Sequence, residues 1–211
     1  MEIAILLFDR LTALDAIGPY EVLSRIPNAT VKFVAKQAGL VRTDQGSLAL
    51  RADYSLEEVP SPDILVVPGG PGQSALMQDE AILNWIRRAH ETSKWTTSVC
   101  TGSLLLGAAG LLKGLKATSH WLAYDVLRQL GAEPTAERVV IEGKIITAAG
   151  VSAGIDMALK LVALECGDAV AQAIQLGIEY DPQPPFDAGS PSRAPAEIVE
   201  RLRSRSRFPV K

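Results

Sequence analysis

Residues 95–104 read Trp95-Thr96-Thr97-Ser98-Val99-Cys100-Thr101-Gly102-Ser103-Leu104. The first five are typical of a β-strand, and a helix-forming run follows Cys100, with glycine two residues on. The pattern predicts a strand-to-helix turn, a nucleophile elbow, with Cys100 at a helix N-terminus. Because free backbone N–H groups and the helix dipole favour the thiolate there, we expect a lowered pKa for Cys100. The same N–H groups can bind an oxyanion formed after attack.

Short apolar runs of β type alternate with helical patterns on both sides of this turn. The predicted strands are Glu2–Phe8, Thr30–Ala35, Asp63–Pro68, Thr96–Val99 and Lys144–Ala148, and the predicted helices are Leu14–Ile26, Glu80–Glu91, Ser119–Leu130, Ser152–Cys166 and Asp168–Ile178. This alternation predicts an α/β three-layer sandwich, with a mostly parallel, flavodoxin-like sheet and helices on both faces.

The composition changes at Asp181, where a proline-rich stretch leads to a last amphipathic helix, Ala196–Arg205. We therefore predict a catalytic domain over residues 1–180 and a strap with a C-terminal helix over residues 181–211. Phe186 gives the strap an apolar side chain to bury. We expect the strap to cross the body of the protein or a partner subunit.

The composition of the 211 residues is that of an ordinary soluble globular protein, with 47% apolar and 21% charged residues. A net charge of −3 provides no overall positive field for nucleic acid, although the C-terminus is locally basic from Arg193 to Lys211. The apolar run Glu2–Phe8 is too short for a signal peptide, and none approaches the roughly 18 residues of a membrane span. We expect a cytoplasmic protein with neither nucleic acid nor membrane as a partner.

The chain has two cysteines and two histidines, which argues against a disulfide framework or a structural zinc site. We therefore expect no metal and no cofactor. Cys166 lies on the apolar side of a predicted helix and is expected to pack in the core, whereas His90 is expected at the surface.

Reactive residues follow several predicted strands, at the edge where open α/β sheets form their sites. These segments are Leu14-Asp15-Ala16-Ile17-Gly18-Pro19, Val67-Pro68-Gly69-Gly70-Pro71-Gly72, Cys100-Thr101-Gly102 and Ala117-Thr118-Ser119-His120-Trp121. Together with Ala149-Gly150-Val151-Ser152-Ala153-Gly154-Ile155-Asp156, they resemble the ThiJ/PfpI superfamily over nearly the whole chain.

Three motifs are similar to those of the isonitrile hydratases within that superfamily: Leu-Asp-x-x-Gly-Pro at 14–19, Val-Cys-Thr-Gly-Ser at 99–103, and the tail from Glu179 to Pro191. The resemblance implies addition of water to a small-molecule isonitrile, giving an N-substituted formamide through a covalent cysteine thioimidate. It also implies a homodimer, with the strap and the last helix as an arm across the partner.

The resemblance assigns catalytic roles to Cys100, Asp15 and Thr101. Cys100 would be the nucleophile, although many free cysteines are simply buried. Asp15 would face it and handle protons, and apolar Leu14 and Ile17 would raise its pKa; the alternative is a helix N-cap. Thr101 would orient the carboxylate or the water.

Gly69 and Gly70 form a turn that is expected beside the elbow. A backbone N–H of Gly70 could pair with that of Thr101 as an oxyanion hole, or the glycines could only permit a tight turn. A phosphate-binding loop is disfavoured, because no lysine follows and the Gly-x-Gly-x-x-Gly spacing is absent.

His120 and Trp121 are candidates for the wall of the pocket. Cysteine hydrolases often pair the thiol with an imidazole, but peptidase-like relatives carry histidine directly after the cysteine, where this chain has Thr101. His120 therefore has either a supporting role or none. Trp121 could equally be a core or interface aromatic.

Two other functions stay open. Other superfamily members perform glyoxalase-like or deglycating chemistry on reactive carbonyls, with glutamate where this chain has Asp15. Similar domains also sense small ligands in transcription regulators, joined to a helix-turn-helix region for which the last short helix leaves no room.

Overall fold

The five predicted strands lie in one seven-stranded sheet, together with Tyr54–Ser55 and Val139–Glu142, in the computed structural model, which describes residues 1–208. The strands in chain order are β1 (Glu2–Leu6), β2 (Thr30–Ala35), β3 (Gly39–Arg42), β4 (Ala49–Ala52), β5 (Tyr54–Ser55), β6 (Ile64–Val67), β7 (Trp95–Val99), β8 (Lys116–Ala117), β9 (Glu133–Pro134), β10 (Val139–Glu142) and β11 (Ile145–Ala148). The helices are α1 (Ala13–Leu23), α2 (Gln73–Leu76), α3 (Glu80–Thr92), α4 (Gly102–Ala108), α5 (Tyr124–Gln129), α6 (Ala153–Cys166), α7 (Asp168–Gly177) and α8 (Ala196–Ser204), with a 3₁₀ turn at Trp121–Ala123.

The strand order of the central sheet is β10-β11-β7-β6-β1-β2-β5. All neighbours are parallel except β10, which pairs antiparallel with β11. After β1 the chain adds β2 on one side and then returns to place β6 on the other. The order is that of the flavodoxin-like sheet, and its switch point, where such sheets bind ligands, lies between β1 and β6.

The central strands are buried on both faces. Every residue of β6 and all but the first of β1 are buried, as expected where helices cover a parallel sheet. Helices α1, α6 and α7 pack together as one group, and α2, α3, α4 and α5 pack as another. The predicted α/β three-layer sandwich is confirmed.

One predicted helix is divided in the structure. Residues 119–130 form the 3₁₀ turn Trp121–Ala123 followed by α5, because His120 has an extended backbone (ψ 133°) and caps the turn instead of continuing a helix. Strand β10 was not predicted, although a two-residue turn joins it to β11. In that turn Gly143 has φ +58°, a left-handed conformation that favours glycine.

The proline-rich strap does not bury its aromatic ring against this chain. Phe186 is 77% exposed, so its ring does not pack on the body of this chain, and its burial against a partner subunit stays a prediction. Residues 189–193 of the strap nevertheless line a cavity together with His120 and Trp121 of the body. The division at residue 180 stays a prediction, and the end of the basic tail, Lys211, lies outside the described residues. No helix within residues 1–208 has the length and apolar character to cross a bilayer.

Candidate active site

Cys100 occupies a strained turn between β7 and α4. Its φ of +57° lies in the left-handed region, which a residue with a side chain seldom adopts. Thr101 caps α4, which begins at Gly102. The structure therefore forms the elbow that the sequence predicts, and Cys100 lies at the carboxyl edge of the sheet.

Hydrogen bonds hold the elbow from both sides. The Cys100 N–H donates to the carbonyls of Ala148 (3.1 Å) and Ala149 (3.0 Å), at the end of the neighbouring strand β11. The Cys100 carbonyl accepts from the hydroxyls of Ser103 (3.1 Å) and Ser119 (3.0 Å). Sequence reasoning did not assign this role to either serine.

Asp15 is the third residue of α1, and the N-cap is Thr12, so the N-cap interpretation of Asp15 is wrong. Its side chain is 0% exposed and lies beside the elbow, where its Oδ2 and the Thr101 nitrogen both fall within 3 Å of the position that a Cβ at Gly69 would take. The Oδ2 atom accepts the Gly69 N–H at 3.0 Å, whereas Oδ1 has no hydrogen-bond partner within the described chain. A carboxyl group with one oxygen unsatisfied therefore lies beside the candidate nucleophile.

Burial raises the pKa of Asp15 to about 7, against the opposing hydrogen bonds from the Gly69 amide and Cys100. The direction of the pKa shift is the one expected from the sequence. Leu14 is 40% exposed, so the burial arises from the packing of α1 rather than from that side chain. Asp15 can therefore both hold and release a proton near neutral pH.

The pKa of Cys100 is raised, contrary to the lowering expected at a helix N-terminus. Burial, and next the Asp15 carboxylate, raise the pKa of the thiol to about 12, although the backbone N–H groups of Val151 and Thr101 at the sulfur lower it. The sequence shows the amides of the turn, but only the fold brings the buried carboxyl group next to the sulfur. Because the two groups are adjacent, the thiolate is favoured when Asp15 holds the proton.

The amides of Gly69 and Gly70 bind side chains in this structure. The Gly70 N–H donates to Oγ1 of Thr101 at 3.0 Å, so it is not free to pair with the Thr101 N–H as the predicted oxyanion hole. With the Gly69–Asp15 bond, this turn positions the two polar residues that flank Cys100. The amides directed at the sulfur are those of Thr101 and Val151.

The turn requires glycine at both positions. A Cβ at Gly69 would lie 2.5 Å from the Thr101 nitrogen and 2.9 Å from Oδ2 of Asp15. Gly70 has φ +133°, and a Cβ there would lie 2.4 Å from the nitrogen of Thr12. A side chain at either position would displace the groups that surround the sulfur.

His120 lies in the site without a hydrogen bond to Cys100 among the described residues. Its Nδ1 accepts the Leu122 N–H at 3.3 Å, and its ring stacks on Trp121 with centroids 6.0 Å apart. Burial, followed by the charge of Arg207, lowers the pKa of His120 and favours the neutral imidazole. The geometry does not provide the thiol–imidazole pair of a cysteine peptidase.

A cavity of about 380 Å³ opens over Cys100 and Thr101. Residues of the C-terminal segment, Leu202 and 205–208, form part of its wall. A neighbouring cavity of about 680 Å³ shares His120 and Val151 with it and is lined by Trp121. These terminal residues were not predicted to lie in the site.

His90 and Cys166, which were not predicted to lie in the site, are half-buried. His90 places Nδ1 at 2.9 Å from the Thr96 hydroxyl and is not the simple surface residue that was expected. Cys166 packs at the margin of the core. Neither lines the cavity over Cys100.

Comparison with known proteins supports the resemblance drawn from these motifs. The DJ-1/PfpI family matches residues 1–164. An isonitrile hydratase from Pseudomonas putida is 45% identical over 206 residues, covering 98% of this chain and 90% of that protein. The HTH-type transcriptional regulator CdhR from Pseudomonas aeruginosa is 30% identical over 161 residues, covering 74% of this chain and 47% of the regulator.

A solved structure has the same fold over nearly the whole of this chain. The crystal structure of a ThiJ/PfpI family protein from Pseudomonas syringae superposes with a TM-score of 0.94 at 40% identity, covering 97% of this chain and 85% of that one. The elbow, the glycine turn and the buried aspartate therefore lie in a shared framework. This chain belongs to the DJ-1/PfpI family.

Proposed function

We propose that this protein is an isonitrile hydratase, which adds water to a small-molecule isonitrile and releases an N-substituted formamide. One observation carries the proposal: the buried Asp15 carboxyl group lies beside Cys100 at the elbow, held there by the Gly69 amide, and its charge raises the pKa of the thiol. The isonitrile hydratase from Pseudomonas putida, at 45% identity over nearly the whole chain, supports the same reaction.

In the first step Cys100 is the nucleophile and Asp15 the acid. The ionised Asp15 carboxylate first takes the proton of the Cys100 thiol, whose pKa is the higher of the two. The thiolate then donates an electron pair to the terminal isonitrile carbon, and the proton now held by Asp15 moves to that carbon. The product is a covalent thioimidate, in which sulfur is bonded to a CH=N–R group, and Asp15 is left ionised. The raised pKa of Asp15, about 7, suits an acid that works near neutral pH.

In the second step the Asp15 carboxylate takes a proton from water while the water oxygen bonds to the thioimidate carbon. That proton then moves to the substrate nitrogen. Asp15 next accepts the hydroxyl proton as the carbon–sulfur bond breaks, which releases the formamide and restores thiolate and protonated acid. Atoms and charge balance over the cycle, with water as the only co-substrate.

Neighbouring groups would hold the reactants in place. The Thr101 hydroxyl accepts the Gly70 N–H, which leaves its own proton to orient the Asp15 carboxylate or the water. The backbone N–H groups of Val151 and Thr101 face the sulfur and would stabilise its negative charge. Trp121 and His120 would wall the space for the R group.

Separate incubation with cyclohexyl isonitrile and with methylglyoxal tests the proposal. We expect N-cyclohexylformamide by mass spectrometry from the wild type, none from Cys100→Ala, and normal amounts from Cys166→Ala, which changes the other thiol. Consumption of methylglyoxal alone would favour carbonyl chemistry instead. Tight ligand binding without turnover would indicate a sensing module.

A homodimer in the cytoplasm is part of the same proposal. Exposed Phe186, Leu164 and Leu176 provide apolar surface for a second copy. Both cysteines are free, which is the state that a reducing compartment maintains. Sedimentation should give a dimer at micromolar concentration, and a monomer would refute the arm across a partner. Cell fractionation tests the location.

A further inference from the structure

The chain returns to the active site after α8. Residues 205–208 lie at the mouth of the cavity over Cys100, and Nη2 of Arg207 donates to the Gly70 carbonyl at 3.1 Å. The guanidinium carbon lies 4.7 Å from the centroid of the Phe208 ring. A cation is thus held on the glycine turn whose amides bind Asp15 and Thr101.

Arg207 forms no ion pair with a carboxylate within residues 1–208. Its side chain is exposed overall, but its bond to the Gly70 carbonyl is partly buried. A guanidinium has five N–H donors, and one of them accounts for the bond to Gly70. Burial and the charge of Arg10 lower the pKa of Arg207, whereas Cys100 raises it. The positive charge therefore interacts electrostatically with the sulfur.

The charged and titratable groups around this cavity are few. Those that line it or interact with Arg207 are Arg10, Asp44, Cys100, His120 and Arg205, with Asp15 beneath the sulfur. His120 favours the neutral form, and Arg205 is exposed to solvent. Asp44 adds negative charge, which raises the pKa of Asp15 further. Of the two arginines that line the cavity, Arg207 is the one whose guanidinium is held on the Gly70 carbonyl.

The proposed reaction requires one negative charge to remain in the pocket. The charge passes from Asp15 to the sulfur when the thiol ionises, returns to Asp15 when the thioimidate forms, and is again shared by the pair when the formamide leaves. Burial opposes that charge at both positions. A fixed cation at the mouth favours it at either position, without itself moving or transferring a proton.

We propose that Arg207 is a positioning residue of the active site, whose guanidinium, seated on the Gly70 carbonyl, stabilises the single negative charge shared by Asp15 and Cys100. Its part in turnover rests on the function proposed above. Its effect on the ionisation of the pair does not.

The test compares Arg207→Gln with Arg207→Lys, and with Arg201→Gln as a matched control. Arg201 lies on α8, is exposed and does not line the cavity, so its variant removes the same charge elsewhere. Two pH profiles are measured for each protein: the rate of Cys100 alkylation by iodoacetamide, followed by mass spectrometry, and kcat/KM for cyclohexyl isonitrile.

We expect Arg207→Gln to move the acid limb of both profiles to higher pH by about half a unit to one unit. Below the limb this is a rate loss of about 3- to 10-fold, because one pH unit is a factor of ten in ionisation. Arg207→Lys should retain most of the wild-type profile, because the positive charge stays. A small shift is expected, because lysine lacks the planar guanidinium that binds the Gly70 carbonyl. Arg201→Gln should superimpose on the wild type.

Superimposable profiles for Arg207→Gln and the wild type would overturn the inference, as would an equal shift in Arg201→Gln. The two proposals can fail separately. If the wild type consumes no isonitrile, the proposed function fails, and the alkylation profile still decides the role of Arg207.

Discussion

Asp15→Asn is expected to stabilise the folded protein at neutral and alkaline pH while removing its activity. Burial raises the pKa of Asp15 from 3.8 to about 7. Between these values the folded protein binds a proton that the unfolded chain has lost, so the free energy of unfolding falls as the pH rises. The carboxyl group therefore destabilises the fold most above about pH 7.

The magnitude follows from the size of that shift. About three pKa units at 1.36 kcal/mol each correspond to roughly 4 kcal/mol, absent below the unfolded pKa and complete above the folded one. Asparagine has nearly the same shape, and its carbonyl oxygen can keep the bond from the Gly69 N–H. Because it does not ionise, the variant lacks this dependence on pH.

Urea unfolding at pH 4 and pH 8 measures the effect. At each pH the free energy of unfolding of the wild type is subtracted from that of the variant, so the contributions of the other titrating groups cancel. The advantage of Asp15→Asn over the wild type should grow by about 4 kcal/mol between the two pH values. Asp181→Asn, which changes an exposed carboxyl group, should show no such growth. Parallel behaviour of Asp15→Asn and the wild type would refute the assignment of a raised pKa to Asp15.

Turnover of cyclohexyl isonitrile should change in the opposite direction. A positioned acid or base contributes about 10²- to 10⁴-fold, so Asp15→Asn should lose that factor or more in kcat, or roughly 3–5 kcal/mol of barrier. Near-normal turnover would remove Asp15 from the mechanism. A stabilised but inactive variant would show that the fold holds this carboxyl group at a cost to stability.

Three further substitutions probe the groups around the sulfur. Gly69→Ala places a Cβ 2.5 Å from the Thr101 nitrogen, so turnover should fall at least about 100-fold; activity within threefold of the wild type would contradict the steric argument. Thr101→Val leaves the buried Gly70 N–H without its acceptor and should cost about 1–3 kcal/mol in urea unfolding, whereas Thr101→Ser should not; equal losses would count against the bond. Cys100→Gly should be more stable than Cys100→Ala by about 1 kcal/mol, since glycine adopts a φ of +57° without strain, and the reverse order would exclude a strained elbow.

The sequence predicts those parts of the fold that are buried on both faces. Strands β1 and β6 appear as unbroken apolar runs because helices cover both sides of the sheet. The hairpin of β3 and β4 and the edge strand β10 are partly exposed and mixed in composition, so periodicity alone did not find them. Their stability depends on pairing, which a local pattern does not contain.

The same division applies to the site. Asp15, Gly69 and Cys100 were found because each follows a strand at one edge of the sheet. The direction of the Cys100 pKa was predicted wrongly, because it depends on a carboxyl group that only the folded chain brings near. Arg207 gave no signal, since a terminal arginine in a polar segment resembles any solvated residue. Val151 did give a signal, because it follows strand β11. Searching the carboxyl ends of the strands, which found Cys100, could also have found Val151.

The position of residues 205–208 beside the cavity has a practical consequence for preparing the protein. A purification tag joined close behind Phe208 would lie near the opening of the cavity over Cys100. The partly exposed Met1 precedes β1 at the amino edge of the sheet, on the side opposite to Cys100. Kinetic comparisons between variants are therefore best made with the affinity handle at the N-terminus, or with a cleavable one.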